Sequence, residues 1–72
     1  MTTHNLKKIN LTETSSIEIS IDEHLENEFE VVISEDSVRF ESDKIIYKDF
    51  DNYADAVEYY IKKVNFYLKK AS

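Results

Sequence analysis

Glycine, proline, cysteine and tryptophan are all missing from this chain of 72 residues. Without glycine there is no phosphate-cradling loop, dinucleotide fingerprint or nucleophile elbow. Without cysteine, disulfides, thiolate metal sites and cysteine nucleophiles are excluded. Two histidines, His4 and His24, leave little for a structural metal, and neither a metal nor another cofactor is expected. Oligomerisation is the remaining reinforcement for so short a chain, so a homodimer is expected. No apolar run approaches the ~20 residues of a membrane span. The first residues lack the apolar stretch of a secretory signal, and the expected location is the cytoplasm.

What is present argues for one folded domain. Hydrophobic residues make up 42% of the chain and charged residues 33%, with abundant Ile, Val, Phe and Tyr. That is not the composition of a disordered segment. The formal net charge of -6 conceals a steep pattern. Residues 1–12 carry Lys7 and Lys8 and no acid. Residues 13–58 hold all 15 acids against Arg39, Lys44 and Lys48, a net -12. The last fourteen residues carry four lysines and no acid. Asymmetry of this kind speaks of partners and solubility rather than of fold.

Hydrophobic periodicity supplies the elements. Residues 1–13 carry only Leu6, Ile9 and Leu11 as internal apolar positions, which fit a helix, a strand or a partner-ordered arm equally. From Ser15 to Asp22 the chain alternates strictly, with Ile17, Ile19 and Ile21 on one face and Glu18, Ser20 and Asp22 on the other. Asp22–Asn27 reads as a turn, with Asn27 the residue most tolerant of positive φ. Glu28–Ile33 is a second strand, with Phe29, Val31 and Ile33 inside and Glu28, Glu30 and Val32 outside. Ser34–Asp36 reads as a turn and Ser37–Ser42 as a third strand, with Val38 and Phe40 inside and Arg39 and Glu41 outside. A further turn leads into a short strand over Lys44–Lys48. Strands joined by short turns make an antiparallel meander with one wet face.

A helix is expected from about residue 51 to 70, capped by Asp51 or Asn52, with Asp55 in its first turn and lysines in its last. Tyr53, Ala56, Val57, Tyr60, Ile61, Val64, Tyr67 and Leu68 share a broad apolar face. The fold class is therefore α+β: an antiparallel sheet of three or four strands within residues 15–48, packed on one C-terminal helix. Tyr59 and Phe66 fall on the back of that helix among Lys62, Lys63 and Lys70. Together with Val32 they are candidates for a dimer interface.

Little here can carry catalysis, and no enzyme is expected. His24 sits among Asp22, Glu23 and Glu26, superficially a base with a carboxylate orienter, but a solvated histidine in an acidic turn is the simpler reading. The glycine-containing pattern of a calcium loop is absent. Few bases and many acids disfavour direct contact with nucleic acid. The acids are the main signal. The outer sheet face and its turns are expected to present Glu18, Asp22, Glu23, Glu26, Glu28, Glu30, Glu35, Asp36, Glu41 and Asp43 as a partner-binding array. Residues two apart on a strand lie roughly 6.5–7 Å apart on one face, a spacing similar to successive phosphates on one strand. Such an array can occupy a basic DNA-binding groove, with long-range steering and salt sensitivity.

In size and acidity the chain resembles small phage-encoded proteins that inhibit host DNA-binding or DNA-processing proteins by imitating DNA. That group includes uracil-glycosylase inhibitors, antirestriction proteins, some anti-CRISPRs and an inhibitor of the nucleoid protein HU, to which size and acidity are most similar. The Ile/Lys/Asn/Tyr bias is similar to that of AT-rich phage or Firmicute genomes. The resemblance covers the whole chain in charge and length and rests on no motif. The group shares no common fold, so no residue is carried over from it. It implies a non-enzymatic inhibitor of a basic host DNA-binding protein such as HU, acting in host takeover by competition with DNA. The alternative is a regulatory protein–protein module, an antitoxin or a polymerase-binding regulator, using a hydrophobic interface around Tyr59 and Phe66.

Overall fold

Ile17, Ile19 and Ile21 are all buried, and the strand that carries them, β2 (Ser15–Leu25), is the spine of the sheet. The computed structural model describes residues 2–37 and 44–71, the side chains of residues 36, 37 and 44 apart. Besides β2, the chain forms β1 (Thr2–Asn10), β3 (Glu28–Ser37), β4 (Lys44–Phe50) and α1 (Tyr53–Ala71). The four strands make one antiparallel sheet in the order β1-β2-β3-β4. This is the expected α+β meander with one C-terminal helix.

The helix lies on one face of the sheet and touches all four strands. Under it, Ile9 faces Ile17, Ile19 faces Ile33, and Ile21 faces Val31 in direct cross-strand register. These residues, with Phe29 and Ala56, form the buried core. β-branched side chains suit this half-buried pleated surface, and each such pair stabilises the register. A slip by one residue would turn every isoleucine of β2 to water.

Residues 2–10, undecided in the sequence, are a strand with a bulge. Pairing with β2 shifts register between His4 and Lys7, and Asn5 takes φ 49°. In the following loop, Leu11 and Thr12 donate backbone N–H groups to the Ser15 carbonyl at 3.0 and 3.2 Å. The hydroxyl of Thr12 accepts from the Thr14 backbone N–H at 3.2 Å. The β2–β3 turn is tighter than the expected 22–27 segment, because β2 runs on to Leu25. Asn27 carries the reversal at φ 61°. With no glycine in the chain, both left-handed positions fall to asparagine, the residue best able to take them after glycine.

Two further expectations need correction here. Ser34–Asp36 is not a turn but the far half of β3, where Ser34, Glu35 and Asp36 pair with Glu18, Ile17 and Ser16. Their polar, turn-like composition is overridden by the ladder that β2 offers. The expected third strand, Ser37–Ser42, lies outside the described residues except at Ser37, which ends β3. The second correction concerns the helix. Ile61 and Leu68, expected inward, are exposed, whereas Tyr59 packs on the core beside Phe50, their rings 5.4 Å apart. The face applied to the sheet is turned by roughly 50° toward Tyr59, half the ~100° step between successive residues. Apolar side chains flank the helix on both sides, so its own periodicity does not fix the angle at which it docks.

The helix start is as expected. Asn52 Oδ1 accepts the Asp55 backbone N–H at 2.8 Å, and Asn52 Nδ2 donates to Asp55 Oδ2 at 2.9 Å. Asn52 is therefore the N-cap. Asp55 in the first turn and Lys69 and Lys70 in the last suit the helix dipole.

Candidate functional site

Among the described residues no element covers the face of the sheet away from α1, here called the open face, and cross-strand register arranges its side chains in rows. Asp22 lies opposite Thr3 on one side and Glu30 on the other, and Glu30 lies opposite Asp49. Three carboxylate-bearing residues therefore stand side by side on three adjacent strands. Directly opposed residues have Cα atoms ~4.5–5.5 Å apart, so the row gathers its charge within about 10 Å. Glu28, two residues before Glu30 on the same face, is exposed and extends the row toward the turn. The next row holds Ser20, Val32 and Tyr47, and the one beyond it Lys8, Glu18, Ser34 and Ile45.

Like charges directly opposite each other destabilise a sheet. Here the row has only small compensation. The Thr3 hydroxyl donates to Asp22 Oδ1 at 3.0 Å. Glu30 accepts a hydrogen bond from His24 Nε2 at 3.2 Å, which places the proton on that nitrogen because an ionised carboxylate only accepts. Among the described residues, no lysine or arginine makes an ion pair with Asp22, Glu28, Glu30 or Asp49.

The residues expected in the acidic array divide between the two faces. Asp22, Glu28 and Glu30 come together, and Glu18 stands two rows away in register with Lys8. Glu26 is exposed in the β2–β3 turn, and Asp36 belongs to β3 opposite Ser16. Glu41 and Asp43 lie outside the described residues. Glu23 and Glu35 are on the helix side instead, because strand alternation continues through segments whose composition resembles turns. Glu23 is opposite Phe29 and accepts from His4 Nε2 at 3.0 Å. Glu35 is opposite Ile17, close enough to Tyr67 that its charge, after burial itself, helps to raise the Tyr67 phenol above its ordinary pKa. Asp49 was missed by sequence reasoning. Its signal was the alternation Tyr47, Asp49 against Lys48, Phe50, which carries β4 two residues beyond the expected end.

Of the three residues expected at a dimer interface, Tyr59 and Phe66 lie on one side of the helix, with the Lys63 nitrogen 5.4 and 5.6 Å from their ring centres, and Val32 stands apart from them. Val32 is at the middle of the open face, on the opposite side of the sheet from the helix. Tyr59 is half-buried, with Lys48 and Lys63 nitrogens 5.1 and 5.4 Å from its ring centre. Phe66 is exposed on the helix beside Tyr67, between Lys63 and Lys70.

A shallow cleft of about 240 Å³ lies between Phe50, Asp55, Glu58, Tyr59 and Lys62. It falls below the ~300–1,000 Å³ usual for small-molecule sites, and His24 is not among its walls. Among the described residues there is no group of three metal-ligating side chains, and no helix is long and apolar enough to cross a membrane. Comparison with protein-family models, curated proteins and solved structures finds no match, so the open face is read from its own chemistry.

Proposed function

We propose that the chain is a non-enzymatic inhibitor that lays the open face of its sheet into the basic groove of a DNA-binding protein, such as HU, in a host cytoplasm. The observation that carries this reading is the row Asp22, Glu30, Asp49: three carboxylates in direct cross-strand register on the face away from the helix, Asp49 exposed and Asp22 and Glu30 half-buried. A face needed only for solubility gains nothing from opposing its charges, since charges spread among the turns would serve as well. Fixed on a rigid sheet, the row holds negative charge in place without the entropy cost of ordering it on binding. A basic groove evolved for phosphates meets the same sign of charge. Competition follows: the partner cannot hold DNA and this face together. The hydrophobic-interface alternative has less support, since Tyr59 spends much of its surface on Phe50.

The test is displacement. The chain, titrated into a complex of purified bacterial HU and a labelled duplex, should release the duplex, and added salt should weaken the effect. Where HU is not the target, the same assay is run on whichever DNA-binding protein the chain retains from a bacterial lysate in competition with free duplex. Glu30→Lys with Asp49→Lys should abolish displacement while leaving the far-ultraviolet circular dichroism unchanged. Undiminished displacement by that folded variant would sink the reading.

A further inference from the structure

The two edges of the sheet are built differently. Along β1 the pairing slips between His4 and Lys7, Asn5 takes a left-handed conformation, and Lys7 and Lys8 follow. Each edge strand carries two lysines, so the device that sets β1 apart is its bulge, which keeps an edge strand from recruiting another chain. β4 has no bulge. Its ladder with β3 runs in unbroken register from Phe29–Phe50 to Glu35–Lys44. Among the described residues no strand pairs with its other side. Ile45, Ile46 and Tyr47 are consecutive there and are 47%, 38% and 58% exposed. Apolar side chains thus stand open on both faces of a regular strand whose outward backbone groups have no ladder partner.

We propose that this edge pairs with a second copy of the chain, β4 antiparallel to β4 about a two-fold axis at Tyr47, so that two sheets join into one. The strand's own sequence argues for a copy of itself. For both helices to lie on the same side of the joined sheet, positions of equal parity must face each other. With the axis at Tyr47, Ile45 faces Asp49 of the second copy, Ile46 faces Lys48, and no like charges meet. Moving the axis to Lys48 sets lysine against lysine. Moving it to Ile46 sets positions 44 and 48, both lysine, against each other. Of these three registers, which pair the most of β4 with its copy, the Tyr47 one alone sets no like charges opposite each other within the strand, and it brings the most exposed of the three apolar residues together with its counterpart across the axis. The interface is isologous and closes as a dimer, leaving the bulged β1 strands as the outer edges. It does not depend on what the open face binds.

The test is the solution mass of the full chain, by sedimentation and by light scattering after size exclusion, from micromolar to millimolar concentration. The wild-type chain should reach twice its monomer mass within that range. Tyr47→Lys and Tyr47→Glu each place like charges at the axis and should weaken the dimer ~tenfold or more, each keeping the wild-type circular dichroism. Mixing the two variants should restore a dimer, because lysine then meets glutamate. A wild-type chain that stays monomeric throughout would leave the edge to an extended segment of a different protein and overturn the proposal. A dimer unaffected by Tyr47→Lys, or one that the mixture fails to restore, overturns it as well.

Discussion

The covered and open faces of the sheet are made by the same strands, yet they spend their side chains on opposite ends. Under α1, each cross-strand pair at the centre joins two aliphatic residues, as in Ile19–Ile33 and Ile21–Val31. On the open face the corresponding pairs are Ser20–Val32 and Asp22–Glu30. The first face stabilises the fold through burial; the second sets carboxylates directly opposite one another, an arrangement that in general disfavours a sheet. What the difference teaches is that the acids are not simply placed where the core leaves room. One face supplies the burial, and the other is free to gather charge.

The sharpest way to break the contrast is on the covered side. Ile19→Ala removes a fully buried side chain, which costs about 2–5 kcal/mol. At ~0.05–0.15 kcal/mol per residue a chain of this length holds only roughly 4–11 kcal/mol in all. Urea unfolding should therefore show a midpoint lowered by a large fraction, or no folded baseline at all. On the open side the sign should reverse. Glu30→Lys converts a run of three negative charges into an alternating one and should raise stability by up to ~1 kcal/mol at low salt. Unfolding midpoints measured at two ionic strengths would show the gain and its shrinkage with screening. A loss of stability in Glu30→Lys would remove the idea that the row is under repulsion.

The smallest expected effect lies at the margin of the covered side and appears only in alkali. Burial, and then the neighbouring Tyr53, raises the Tyr60 phenol above its ordinary pKa of 10.0. Tyr67 is raised by burial, then by Glu35 and Tyr59. The folded chain thus holds these protons more tightly than the unfolded one. Their stabilisation is complete below about pH 10 and is lost as pH climbs through the raised folded values. Stability against pH should fall above that point, and Tyr60→Phe with Tyr67→Phe should flatten the decline.

Legibility from sequence followed the strength of local signals. Strict alternation from Ile17 to Ile21 located β2 and its buried face, Asn27 marked the reversal, and Asn52 with Asp55 marked the helix start. β1 was undecided because Leu6 and Ile9 suit a helical face while Ile9 and Leu11 suit a strand face, and the bulge between His4 and Lys7 takes Leu6 out of the strand's alternation. The far half of β3 was hidden because Ser34, Glu35 and Asp36 are turn-formers alone and become strand only beside β2. The candidate site was half visible. The acids of β2 and β3 could be listed, but that Asp22, Glu30 and Asp49 share a row is a property of register across three strands. Glu23 and Glu35 were misassigned for the same reason, since only the continuing strands reveal which way they point.

The strand order of the sheet is also the order of the chain, and this has a kinetic consequence. Each ladder closes between neighbours in sequence, so the sheet can zip from hairpins with short loops to close, the class of topology that folds quickly. A long tie runs from the Asn5 side chain, which donates to the Tyr53 hydroxyl, 48 positions away. A chain emerging from the ribosome therefore has all its strands before its helix is complete. In that interval Ile17, Ile19 and Ile21 stand uncovered on one side, while the carboxylates stand ready on the other. Two such sheets would meet with the same sign of charge on their open faces, so the negative charge acts between chains as well as along the row.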